Sequence, residues 1–185
     1  MQIAAASSLA RWTRRATFFF STTFGVASAE AGINSEKLLA AILTHTPAPV
    51  IVSYGQQMKE AEKAAAAIPG AETLWGVGTS MEPLYTSNTA IIIAPVKFNE
   101  LKKGMTVVYV NSRGRMVAHS LTGDVPKGWI AQGVNNDEED DDLVTKRNLI
   151  GVIVKAFSAA ESDFRITTAQ RLATKSKPVL LASST

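Results

Sequence analysis

Apolar and polar positions alternate in two different rhythms along this chain. Leu38, Leu39, Ile42 and Leu43 recur at helical spacing, and Asn34 is suited to cap a helix over 35–43. Thr46-Pro47-Ala48-Pro49 ends that helix, and Val50-Ile51-Val52-Ser53-Tyr54 reads as a strand. Residues 56–68 are rich in Ala, Glu and Lys, with Met58, Ala61, Ala65 and Ile68 on one face. They predict a second helix, packed on the core and closed by Pro69-Gly70. From Glu72 the rhythm becomes that of strands. These are 73–77, the β-branched run Ala90-Ile91-Ile92-Ile93-Ala94, Met105 to Val110, Met116 to Thr122, Gly128 to Gln132, and Asn148 to Val154. Asn111-Ser112-Arg113-Gly114 is the turn that folds the third onto the fourth as a hairpin. The expected fold is therefore mainly β with N-terminal helices, α+β overall. Its regions are a helical segment 30–71, a β domain 72–157 and a tail 158–185, the tail Ala/Ser/Thr-rich with a short helix near 168–174.

Charge separates the first 29 residues from the rest. They hold Arg11, Arg14 and Arg15 and no acid. The whole chain has 19 basic and 16 acidic residues, so 16 of each remain beyond this leader. The net charge of +3 belongs to the leader and not to a nucleic-acid surface. No helix-turn-helix pattern precedes Ser80, so no nucleic-acid partner is expected. The leader runs from its arginines through the short apolar stretch 16–26 to Ala27-Ser28-Ala29, the order of a targeting signal with a small-x-small cleavage site. The expectation is export or membrane association through the N-terminus, in the periplasm or at the membrane. An organelle presequence and an uncleaved arm are the alternatives. The apolar stretch falls short of the about 20 residues that a membrane span needs.

Cysteine is absent, which excludes disulfides and thiolate metal sites. His45 and His119 are the only histidines, too few for a histidine-rich metal centre. The run Asp137 to Asp142 lacks the Gly and Glu spacing of a calcium loop and reads as a solvated acidic loop. No cofactor is implied.

The chemistry lies in two short segments. Gly78-Thr79-Ser80-Met81-Glu82-Pro83-Leu84 is a turn that carries a serine, and Val117-Ala118-His119-Ser120-Leu121 brings a lone histidine among apolar residues. A serine hydroxyl needs a neighbouring base to become a nucleophile, and imidazole ionises in the range suited to that task. The acidic run after Asn136 offers carboxylates to orient the histidine. Taken singly, the serine reads as a turn former and the histidine as a satisfied strand residue; their order along the chain raises both. His45 has no partner signal.

This ordered set resembles the signal peptidases, and more broadly the serine peptidases that group them with LexA-type self-cleaving repressors. The likeness covers about residues 76–157. It consists of the Ser-Met-x-Pro box at 80–83, an extended apolar run, a base, a box at 133–135 and a closing Gly-containing strand at 148–154. The resemblance implies a signal-peptidase/LexA-like β-fold and a Ser-His endopeptidase that cleaves an extended peptide or protein substrate held by β-augmentation. The base resembles the histidine of the archaeal and endoplasmic-reticulum type. No lysine lies near position 119, the closest being Lys102, Lys103 and Lys127. By family spacing Asp140 or Asp141 would orient His119. Gly78, Thr79, Met81 and Pro83 would shape the nucleophile turn and its oxyanion donors, with Met81 packed beneath and Pro83 rigidifying. This chain departs from the pattern twice. Val134 stands where the family's Gly-Asp-Asn box has its aspartate, and Gly78 where many members have an oxyanion-stabilising serine. These departures leave two alternatives open: an inactive relative serving as a binding or assembly module, and a self-cleaving switch using Ala64 to Ala67 or Pro69-Gly70-Ala71 as its cleavage segment.

Overall fold

In the computed structural model, residues 36–160 are described. The leader, the Asn34 cap and the helix expected near 168–174 lie outside them. The described residues form a mainly antiparallel seven-stranded sheet with two helices, an α+β arrangement. The helices are α1 (Glu36–His45) and α2 (Gln57–Ala65). The strands are β1 (Val50–Val52), β2 (Glu72–Trp75), β3 (Ala90–Ala94), β4 (Thr106–Val110), β5 (Met116–Val125), β6 (Gly128–Gln132) and β7 (Leu149–Ala159). Their order across the sheet is β2-β3-β7-β4-β5-β6, and β1 pairs parallel with the far end of β7.

Both faces of the sheet are covered, which explains a strand such as β3 in which even successive isoleucines are buried. Ile91 and Ile93 join Leu74, Met81, Tyr85, Val108 and Ile153 on one side. Ala90 and Ile92 meet Ala61 and Ala65 of α2 on the other. Each isoleucine taken out of water contributes roughly 1.5–3 kcal/mol. A third cluster, built on Val107, Tyr109, Val117, Leu121 and Ala131, packs behind the β4–β5 hairpin. The pairing Val107↔His119 then places His119 on the same side of the hairpin as Tyr109, two residues along β4.

Several boundaries differ from expectation, each for a local reason. β5 continues past Thr122 to Val125, because β6 pairs with it through Val125↔Gly128 and leaves a two-residue turn. β7 continues through Ala159, two residues into the expected tail, because β1 and β3 both take hydrogen bonds from its far end. β1 stops at Val52, before a turn closed by a Gln56 N–H bond to the Ser53 carbonyl. α2 ends at Ala65, and Ile68 follows in a turn. The apolar face of α1 is only half used: Leu38 and Ile42 are buried, while Leu39 and Leu43 are exposed. Thr46 after α1 ties that helix to the sheet. Its hydroxyl donates to the Gly104 carbonyl and is 2.8 Å from the Thr106 hydroxyl, which is 2.9 Å from that of Ser120.

Candidate active site

The segment between β2 and β3 folds back on itself. Gly76 N–H donates to the Thr89 carbonyl and Asn88 N–H to the Gly76 carbonyl, closing a loop that carries the serine. Inside it, Glu82 N–H reaches the Thr79 carbonyl and Tyr85 N–H the Met81 carbonyl, a tight double turn with a cis Glu82-Pro83 bond. Met81 and Tyr85 are driven fully into the core, and the Tyr85 hydroxyl donates to the Pro47 carbonyl at 2.6 Å. These two anchors leave Ser80 at the apex, pointing at β5. Gly78 sits at φ +106°, a backbone state that favours glycine. Its N–H donates to Ser87 Oγ at 3.1 Å, and that hydroxyl donates to the Gly78 carbonyl at 3.0 Å.

The loop after β6 grips the same turn from the other side. Asn135 N–H donates to the Ser80 carbonyl at 2.8 Å and Asn135 Nδ2 to the Thr79 carbonyl at 3.2 Å. Gly133 makes this approach achievable, since a Cβ there would lie 2.7 Å from the Ser80 carbonyl oxygen. Val134 packs against the Met81 cluster.

Three side chains from three elements meet behind this turn. His119 Nε2 is 2.9 Å from Ser80 Oγ, and His119 Nδ1 is 2.8 and 2.6 Å from the two carboxylate oxygens of Asp140. Asp140 is held by its own backbone, whose N–H donates to the Ala131 carbonyl of β6. The Tyr109 hydroxyl donates to Asp140 Oδ2 at 2.7 Å. A carboxylate only accepts hydrogen bonds, so the neutral ring must carry its proton on Nδ1 and turn the Nε2 lone pair to Ser80. Burial pushes the Tyr109 hydroxyl far above its ordinary range, and the Asp140 charge and hydrogen bond push it further, so it stays a donor. Ser80 is 2% exposed, His119 0%, and the Asp140 side chain 14%. The line Tyr109–Asp140–His119–Ser80 is thus a nearly dry chain of hydrogen bonds that can move a proton from a serine hydroxyl to an imidazole.

The two aspartates that sequence left equivalent are separated. Asp140 faces His119, whereas Asp141 is exposed and its side chain makes no hydrogen bond among the described residues. Asp142 accepts from the backbone and hydroxyl of Ser112, pinning the hairpin turn. Gly78 cannot offer its N–H as an oxyanion donor while Ser87 holds it. The N–H groups of Thr79 and Ser80 have no acceptor among the described residues. Pro83 has no N–H and serves the turn alone. His45 lies at the end of α1, its Nδ1 3.0 Å from the Ala41 carbonyl.

Sequence reasoning missed Tyr109 and Ser87, and it named Gly133 only as the first residue of the box at 133–135. For Tyr109 a signal existed: the Asn111 to Gly114 turn sets a register that puts it on the same side of the hairpin as His119. No signal pointed to Ser87. Among the described residues no group of three or more His, Cys, Asp or Glu is placed to hold a metal ion, and no helix is long and apolar enough to cross a membrane. No family model, curated protein or solved structure matches this chain.

Proposed function

We propose that this chain is a serine endopeptidase of the signal-peptidase-like type, with the β-fold of that group, acting on an extended peptide. The observation that carries the proposal is the continuous hydrogen-bonded line from Ser80 through His119 to Asp140. As a peptide carbonyl approaches Ser80, the Oγ forms the bond to carbon and its proton passes to His119 Nε2. Asp140 stabilises the resulting imidazolium through Nδ1–H, in the manner of a Ser-His-Asp triad. The N–H groups of Ser80 and Thr79 meet the oxyanion, each donor lowering the barrier by about 2.7–4 kcal/mol. Collapse expels the amine, which takes the proton from His119. A water activated by the same histidine then releases the acyl group and restores Ser80. The order of the leader motifs supports an exported or membrane-associated setting.

The burial of Ser80 favours one rival: a polar network that serves structure inside a binding or assembly module. Self-cleavage within Ala64 to Ala67 has less support, because Ala65 is packed against β3 as part of α2, whereas Pro69 and Gly70 of the other candidate segment are exposed. A fluorophosphonate probe and a leader-like octapeptide separate these readings. The peptidase is labelled at Ser80 and cuts the peptide, and Ser80→Ala loses both at unchanged melting temperature. A wild-type chain that neither labels nor cleaves is the binding module.

A further inference from the structure

A concavity shares its wall with the serine turn. It is about 450 Å³, and its lining includes Tyr54, Gln57, Glu82, Thr86, Ser87 and Asn88. Glu82 follows Ser80 by two residues, and Ser87 is the residue that clamps Gly78. Among the described residues of the lining, Glu82 is the sole charged side chain, and its carboxylate has no ion-pair or hydrogen-bond partner. Gln57 is 3% exposed, yet only half of its amide is engaged. Its Oε1 accepts from Gly55 N–H at 2.7 Å, which fixes the amide orientation and leaves its nitrogen without an acceptor among the described residues. An unpaired carboxylate and an amide nitrogen open to the same cavity suit a ligand with a cation and a carbonyl. A lysine or arginine residue of an extended peptide carries both.

We propose that this cavity is a specificity subsite for a basic side chain of the peptide substrate, with Glu82 receiving the cation and the Gln57 amide a peptide carbonyl. The proposal rests on the peptidase reading for its substrate, but the site is defined by its own residues. Two residues of chain span at most about 7 Å. The basic residue therefore belongs within about three positions of the cleaved bond.

The test uses the full chain carrying Ser80→Ala and fluorescent octapeptides of Ala, Ser and Gly. A single lysine is walked through each position and compared with norleucine, and binding is read by anisotropy. Hydrogen bonds to charged groups are strong enough that about tenfold tighter binding is expected for lysine at one favoured position. Adding Glu82→Gln removes that preference while the norleucine peptide binds as before, and Glu82→Lys transfers the preference to a glutamate-bearing peptide. Failure to bind any peptide, the absence of a favoured position, or a lysine preference that survives Glu82→Gln overturns the subsite. Cleavage by the wild-type chain tests the other claim separately. Efficient cutting with no lysine preference sinks the subsite alone, whereas Glu82-dependent binding without cutting leaves the subsite and removes the peptidase.

Discussion

Replacing Asp140 by Asn isolates what the carboxylate does. Asp140 Oδ2 accepts from Tyr109 at 2.7 Å and lies 2.6 Å from His119 Nδ1, while Oδ1 lies 2.8 Å from the same nitrogen. An asparagine that keeps the Tyr109 bond puts its carbonyl at the Oδ2 position and its NH2 at the Oδ1 position. That carbonyl, 2.6 Å from Nδ1, still accepts from Nδ1–H, while the NH2 at 2.8 Å competes for a lone pair on the same nitrogen; where the NH2 wins, the ring proton moves to Nε2. A protonated Nε2 cannot take the Ser80 proton. In a Ser-His-Asp triad the wrong tautomer costs about 10⁴ in turnover, or about 5.4 kcal/mol at 1.36 kcal/mol per tenfold. Where the carbonyl instead keeps Nδ1–H bonded, only the charge that supports the imidazolium is lost. The loss is then nearer the about 1.5–3 kcal/mol of a charged hydrogen bond, which is roughly 10- to 10²-fold. We expect kcat for a quenched-fluorescent leader-like octapeptide to fall by about 10 to 10⁴. Asp141→Asn, on an exposed side chain with no partner among the described residues, should stay within about twofold. Fluorophosphonate labelling of Ser80 gives a readout independent of peptide binding, and circular dichroism melting checks the fold. An Asp140→Asn chain within fivefold of wild type, or an Asp141→Asn chain equally impaired, refutes the assignment of Asp140.

Ser80→Ala and His119→Ala should each reduce peptide cleavage to background, with the double variant no slower than either single, because groups acting as a unit are non-additive; a further loss in the double variant contradicts one proton path. Tyr109→Phe removes the donor to Asp140 with little change of shape. It should cost about 1.5 kcal/mol in urea unfolding, at the low end for a charged acceptor because Asp140 keeps its contact with His119. The same variant should lower kcat about tenfold with KM unchanged, and unchanged turnover would remove Tyr109 from the support of the site. Gly133→Ala forces a Cβ to within 2.7 Å of the Ser80 carbonyl. It should cost about 1–3 kcal/mol and reduce labelling of Ser80, whereas wild-type labelling would show that the turn is free to shift.

Much of the fold is written in local sequence. The run Ala90 to Ala94 specifies a buried strand, and the Asn111 to Gly114 turn specifies a hairpin, because both depend on neighbours a few residues away. The used half of the α1 face was not legible. Leu38 and Leu39 are equally apolar, and only the packing of the folded chain decides that Leu38 is buried and Leu39 exposed. Likewise the pairing Val50↔Phe157 joins residues far apart in sequence, and nothing within either segment names its partner. The site divides in the same way. Ser80 and His119 stand out by themselves, one in a turn motif and the other as a lone ionisable residue in an apolar strand. Asp140 and Asp141 are chemically identical neighbours, so sequence could not rank them. The Asp140 N–H bond to Ala131 in β6 anchors the loop with one carboxylate inward and the next outward. Alternation placed Tyr109 inside the protein, but its acceptor comes from a loop 31 residues away. Composition and spacing determined which groups this chain has for chemistry. The tertiary fold alone decided which of them meet, because hydrogen bonds of 2.6–2.9 Å require side chains from separate strands and loops to be fixed together by the core.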